Sequence, residues 1–149
     1  MISKTIEKAI NEQIHAEEHS SRIYLSMASW CEVNGYPGAA AFLYEHSDEE
    51  RMHMMKLIRY LNDRGGHALS MQLEEPTATF ESLEHLFQEV MKHEIYISGR
   101  INNLVGLCMK ESDFTTANFL QWYVTEQIEE ESLFSTILDK FKLAKGDKG

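Results

Sequence analysis

The feature that most constrains this chain is where its helix breakers fall. The 149 residues include only two prolines and eight glycines. Several of these gather at two places, Asn34-Gly35-Tyr36-Pro37 and the stretch from Gly65-Gly66 to Pro76. A third, weaker break is Ser112-Asp113. What lies between reads as four long helices, over about 3–34, 37–64, 82–110 and 113–143. Ser3 is placed to cap the first, with Ile6, Ile10 and Tyr24 on one face. Pro37 suits the first turn of the second, and Gly65-Gly66 ends it. The third starts near Glu81 or Ser82, and Lys145 to Gly149 reads as a polar end. No internal repeat or low-complexity segment interrupts the pattern.

Loop lengths then set the expected topology. At ~1.5 Å per residue, four helices of about 28 residues are each about 40 Å long. The first and last connections are short, so the helices they join are antiparallel neighbours. The middle connection, about 65–81, is polar and unusually long for a compact domain. Extended at ~3.3 Å per residue it spans ~50 Å, the length of a bundle. It therefore carries the chain back to its starting end. The expected fold is all-α, a four-helix bundle running up-down-down-up as one domain over residues 1–149.

Read at heptad spacing, each helix shows an apolar stripe with a polar interruption near its middle. The third carries Leu83, Phe87, Val90, Glu94, Ile97, Ile101, Leu104 and Cys108. The fourth carries Thr116, Leu120, Tyr123, Gln127, Glu130, Phe134, Ile137 and Phe141. The second carries Leu43, His46, Glu50, His53, Leu57 and Tyr60. The first carries Ile10, Gln13, Glu17, Ser20, Tyr24, Met27 and Cys31. In a bundle of equal helices these midpoints lie at one level. Glu17, Glu50, Glu94 and Glu130 are then expected to converge, with His53 and Gln127 beside them. Four bare carboxylates in an apolar core repel one another and are costly to desolvate, so they must be protonated or hold cations. Several carboxylates with one imidazole suit iron or manganese rather than structural zinc. Shared between two metals they leave coordination positions open, and Glu50 can bridge the pair.

Single features carry less weight than this coincidence. Glu50-x-x-His53 puts two side chains on one helix face, but a motif so short also arises by chance. Glu12-x-x-His15 is a second instance, lies opposite Glu17, and reads as a solvated face. Tyr24, two turns from Glu17, either packs in the core or orients the site and supplies an electron. His46 reads as a satisfied core histidine, and Glu49, Glu126 and Glu129 by themselves read as solvated flanks. Met52 lies off the inward stripe, facing solvent or another subunit.

At Glu17, Tyr24, Glu49-Glu50-Arg51-Met52-His53, Glu94 and Glu126-Gln127-x-Glu129-Glu130, the sequence resembles the bacterial non-haem ferritins. The runs Gly38-Ala39-Ala40-Ala41-Phe42-Leu43 and Asn118-Phe119-Leu120-Gln121-Trp122-Tyr123-Val124 are similar to that family too. The likeness spans about Ile2 to Lys145, in residue types and in spacing together. It implies a ferroxidase centre in each subunit. Glu17 and His53 would hold one iron, Glu94 and Glu130 the other, with Glu50 bridging and Gln127 and Tyr24 as neighbours. It also implies a third iron position at Glu49, Glu126 and Glu129 with Glu130. Members of the family oxidise Fe(II) with O2 or H2O2 and store Fe(III) as mineral in a hollow shell of 24 subunits.

Some features depart from related patterns. Bacterioferritins and many di-iron proteins have a second Glu-x-x-His, where this chain has Gln127-x-x-Glu130. Arg51 stands where bacterioferritin has its haem-binding Met, so no haem is expected. The family usually continues into a short fifth helix, and against that measure the sequence is short by one. Two other functional classes remain open at this point, a di-iron peroxidase or oxygenase that stores no metal and an inactive structural bundle subunit. The second is disfavoured because apolar residues at the mid-seam positions would make a more stable bundle.

Charge and composition narrow the partners. With 24 acidic against 14 basic residues the formal charge is −10. That opposes nucleic-acid binding and suits the handling of cations. No apolar run approaches the ~18 residues that span a bilayer, and Met1 to Asn11 lacks a signal-peptide core. Cys31 and Cys108 form no CxxC and no disulfide framework. A cytoplasmic protein without membrane or nucleic-acid partners is the expectation.

Overall fold

A computed structural model describes residues 1–146. It contains α1 (Lys4–Val33), α2 (Pro37–Asp63), α3 (Leu83–Lys110) and α4 (Phe114–Gly146), with no strand among the described residues. The chain divides into two compact units, Met1–Phe80 and Glu81–Gly149.

The first unit is an α1–α2 hairpin with the crossover segment laid along it. Ser3 caps α1 as expected, its hydroxyl accepting from the Ile6 amide at 3.2 Å. Pro37 opens α2. Antiparallel packing follows from contacts along the whole length. The Ile2 amide donates to the Arg64 carbonyl at 3.1 Å at one end, and the Asn34 to Tyr36 turn closes the other. Between them, Ser21 and Ser47 each donate a hydroxyl proton to the other's carbonyl, at 2.8 and 2.6 Å. Side chains this small let the two helix backbones approach closely.

Gly65 ends α2 with φ at +87°, a left-handed conformation that costs a side-chain-bearing residue energy. At Gly66 a Cβ would lie 2.5 Å from Leu61 Cδ1, so the backbone passes too near that leucine for a larger residue. The crossover then runs along α1. Asn11 donates to the His67 carbonyl at 3.1 Å and accepts from the Leu69 amide at 2.8 Å. His15 Nε2 meets the Gln72 carbonyl at 2.9 Å, Ser26 donates to the Thr77 carbonyl at 2.7 Å, and Phe80 sets its edge against Trp30. These anchors advance from Asn11 to Trp30, about 30 Å of helix at ~1.5 Å per residue. The crossover thus travels from the end where α2 finishes to the end where α1 turns into α2, as its length requires. His15, expected on a solvated face, holds this segment; Glu12 beside it is exposed.

The second unit is the α3–α4 hairpin. Ser82 caps α3 by accepting from the His85 amide at 3.0 Å. Ser112, at φ +58°, makes the turn, and Asp113 caps α4 through the Thr116 amide at 3.0 Å and hydroxyl at 2.7 Å. At the far end Lys145 pairs with Glu84, so this hairpin is antiparallel as well. Phe87 lies between Phe134 and Phe141 there, with ring centroids 6.3 and 6.0 Å away. α4 runs to Gly146 instead of stopping near Leu143. Lys145 explains the extra residues, because it ties the last turn to α3 and sets a cation at the negative end of the helix dipole. Residues 147–149 of the expected polar end lie outside the described residues.

The stripes read from the sequence are the buried faces. Ile10, Gln13, Glu17, Tyr24, Met27 and Cys31 are buried on α1, and Val90, Glu94, Ile97, Ile101, Leu104 and Cys108 on α3. The pattern weakens at the margins, where Tyr60, Leu83, Ile137 and Phe141 are partly exposed. No helix among the described residues is long and apolar enough to cross a membrane.

Candidate metal centre

In the first unit, Glu17 of α1 and Glu50 and His53 of α2 each turn a ligand atom to a common point. These atoms lie within 4.8 Å of one another and all three residues are buried. The geometry follows from the hairpin. Glu50 and His53 are one turn apart on one face of α2, and the antiparallel register puts Glu17 opposite them. Gln13, one turn before Glu17, donates its amide to Glu17 Oε1 at 3.1 Å. His53 Nδ1 lies 3.4 Å from Glu50 Oε2.

The electrostatics of this trio are unfavourable without a cation. Burial, then the neighbouring Glu50 charge and the hydrogen bond between the two carboxyls, push the Glu17 carboxyl well above the usual carboxylate range. His53 and Gln13 pull it the other way, and they do not win. Two acids facing each other in a core resist joint ionisation. A bound divalent cation removes that conflict, because both anions then face positive charge.

In the second unit, Glu94 of α3 and Gln127 and Glu130 of α4 are buried. Gln127 Nε2 reaches Glu94 Oε2 at 3.1 Å and the Glu94 carbonyl at 3.2 Å. It also lies 3.1 Å from Ser98 Oγ, and that hydroxyl donates to Glu131 Oε2 at 2.6 Å. Gln127 therefore steers the Glu94 carboxylate, while Ser98 and Glu131 steady the amide. Glu130, one turn past Gln127, occupies the same buried face.

The remaining expected residues are less enclosed. Glu129 is exposed and Glu126 is half-buried on α4, and Glu49 is about half exposed on α2. Tyr24 is fully buried, its ring edge-on to His46 at 4.9 Å between centroids. Met52 is exposed. Two contributors carry no signal in the sequence, and a third reads there only as core. Gln13 stood on the inward stripe of α1 without a role. Ser98 lies just off the α3 stripe, and nothing in its spacing marked it. His46 read as core filler, yet both of its ring nitrogens face acids.

Comparison with known proteins places the chain in a family. Residues 7–144 match the family model of the ferritin-like domain. A bacterial non-heme ferritin of Campylobacter jejuni is 46% identical over 143 residues, covering 96% of this chain and 86% of that protein. One from Escherichia coli is 45% identical over 144 residues, covering 97% and 87%. Among solved structures, an open-pore ferritin of Archaeoglobus fulgidus aligns with a TM-score of 0.96 at 40% identity, covering 99% of this chain and 91% of that one. With the likeness running through nearly all of the sequence and the backbone, the chain belongs to the ferritin family and has its all-α, four-helix fold.

Proposed function

We propose that the mid-seam acids form a ferroxidase centre. Glu17 and His53 hold one Fe(II), Glu94 and Glu130 hold a second, and Glu50 bridges them. The protein is an iron-storage ferritin and a ferroxidase, and iron is its substrate and cargo. In this reading the two hairpins form one domain over residues 1–149, in the up-down-down-up order that the crossover favours. The observation that carries it is the buried trio Glu17, Glu50 and His53, whose charges conflict until a cation arrives.

Each Fe(II) gives up one electron. O2 accepts the pair with two protons and becomes H2O2; where H2O2 is the oxidant, it accepts two electrons and two protons and becomes two waters. Carboxylates are hard anions and favour the ferric product. Gln127 keeps Glu94 aimed at its metal. Tyr24, buried edge-on to His46, neighbours the centre and supplies an electron in this reading. Glu49, Glu126 and Glu129 with Glu130 form a third iron position. Ferric iron then collects as mineral inside a shell of self-associated subunits, a 24-mer, in the cytoplasm. The acidic surface steers cations toward it.

Aerobic addition of Fe(II), followed by near-ultraviolet absorbance, tests the reading. A fast phase that saturates near about two iron per chain supports it. Slow oxidation without saturation, at the rate of free iron, ends it.

A further inference from the structure

His46 is buried on α2, 4% exposed, one turn before the proposed ligands. Its neighbours at i+3 and i+4 are Glu49 and Glu50. Nδ1 lies 3.6 Å from Glu49 Oε2, and Nε2 lies 3.9 Å from Glu50 Oε1. The ring cannot turn freely between them. Tyr24 of α1 meets it edge-on at 4.9 Å and Phe42, one turn earlier on α2, stacks on it at 5.7 Å. Two aromatic walls from two helices fix the imidazole plane, so each nitrogen addresses one acid.

The two acids differ in setting. Glu50 is buried and about 3% of its side chain is exposed, whereas 48% of Glu49's side chain is. One is the bridging ligand proposed for the inner pair, and the other belongs to the proposed outer position. Carboxylates only accept, so a neutral imidazole serves one acid through its single N–H, and the nearer approach, Nδ1 to Glu49 Oε2 at 3.6 Å, points to Glu49. A residue that only filled the core would need neither contact.

We propose that His46 is a positioning residue that holds the outer carboxylate, Glu49, in register with the bridging carboxylate, Glu50. Without the ring, Glu49 is a half-exposed side chain that samples solvent, and the outer position loses a preformed ligand. This inference rests on the ferroxidase reading above, because it takes Glu50 and Glu49 as ligands of neighbouring metals. Partners that orient metal ligands typically change metal affinity by about 10–100-fold.

The test is anaerobic calorimetric titration of the assembled apo-protein with Zn2+, a redox-inert cation, in the wild type, His46→Phe and His46→Gln. The expected wild-type result is two tighter equivalents and a weaker third per chain. His46→Phe is expected to weaken the third by about tenfold or more. His46→Gln, whose amide again offers an N–H donor to Glu49, is expected to recover most of that loss. A third equivalent unchanged in His46→Phe overturns the proposal. So does an equal loss in both variants with an equal fall in thermal midpoint, which marks a packing role alone. A wild type that binds two equivalents and no third also overturns it, while the reading of the inner pair stands. A wild type that binds none sinks the ferroxidase reading and this inference with it.

Discussion

The two hairpins bring comparable acids to their buried faces and treat them in opposite ways. In α1–α2, Glu17 and Glu50 face each other, and Gln13 and His53 do not offset their repulsion. In α3–α4, Glu94 is held by a neutral amide, Gln127, itself steadied by Ser98 and Glu131. In the proposed centre, the first hairpin stores an electrostatic conflict that metal would relieve. The second fixes the direction of its carboxylate before metal comes. On the proposed reading, affinity and aim are separable duties, assigned to different halves of the chain.

Substitutions can break that division, beginning with the largest effect. Glu50→Ala removes the carboxylate proposed to bridge the two irons and is expected to abolish the saturating phase of Fe(II) oxidation, a loss of about 100-fold or more in initial rate. Stopped-flow absorbance reads it, and a surviving phase of normal amplitude would show that the conflict in α1–α2 is not where iron binds.

Glu17→Gln tests the stored conflict itself. The Glu17 carboxyl is raised above its ordinary value, so over that range the folded apo-protein binds a proton that the unfolded chain has released. This group's favourable contribution is therefore full below the ordinary carboxylate range. It is lost as pH rises through the raised value. Glu17→Gln should flatten that dependence and stabilise the metal-free protein at neutral pH by about 2 kcal/mol. Urea unfolding of the apo-protein at acid and neutral pH measures it, and a variant less stable than wild type at neutral pH contradicts it.

Gln127→Leu keeps the volume and deletes the amide that aims Glu94. Weakening of one of the two inner metals by about tenfold is expected, with the other little changed. Equal weakening of both would mean that aim and affinity are not divided as described. The smallest effect belongs to Asn11→Ala, which removes both hydrogen bonds at the start of the crossover. A loss of about 1 kcal/mol in stability is expected, with faster hydrogen exchange at the Leu69 amide and unaltered iron oxidation.

Much of this was legible in the sequence because it depends on periodicity within one helix. The acid at the middle of each stripe, the cap Ser3, the start of the third helix near Ser82 and the breaks at Gly35, Gly65 and Ser112 all follow from local spacing. What escaped depends on register between elements. Gln127 meets Glu94 and Ser98 across 29 to 33 residues of sequence, and no i,i+4 rule shows which amide will face which carboxylate. His15 was misread for the same reason, since its partner, Gln72, lies 57 residues away on the crossover. His46 is the buried core histidine that its stripe implies. Its contacts are local, but burial alone could not say that both nitrogens face acids.

The anchored crossover also bears on how the chain assembles in time. The α1–α2 turn closes with few residues between its ends, while the contacts from Asn11, His15 and Ser26 to the crossover join residues 51 to 58 apart. Such closures cost entropy that only a formed hairpin repays. The crossover therefore docks after α1 and α2 have paired. A protease should cut near the exposed Glu74-Glu75 fastest before docking, and more slowly once the anchors at Gln72 and Thr77 restrain the stretch between them.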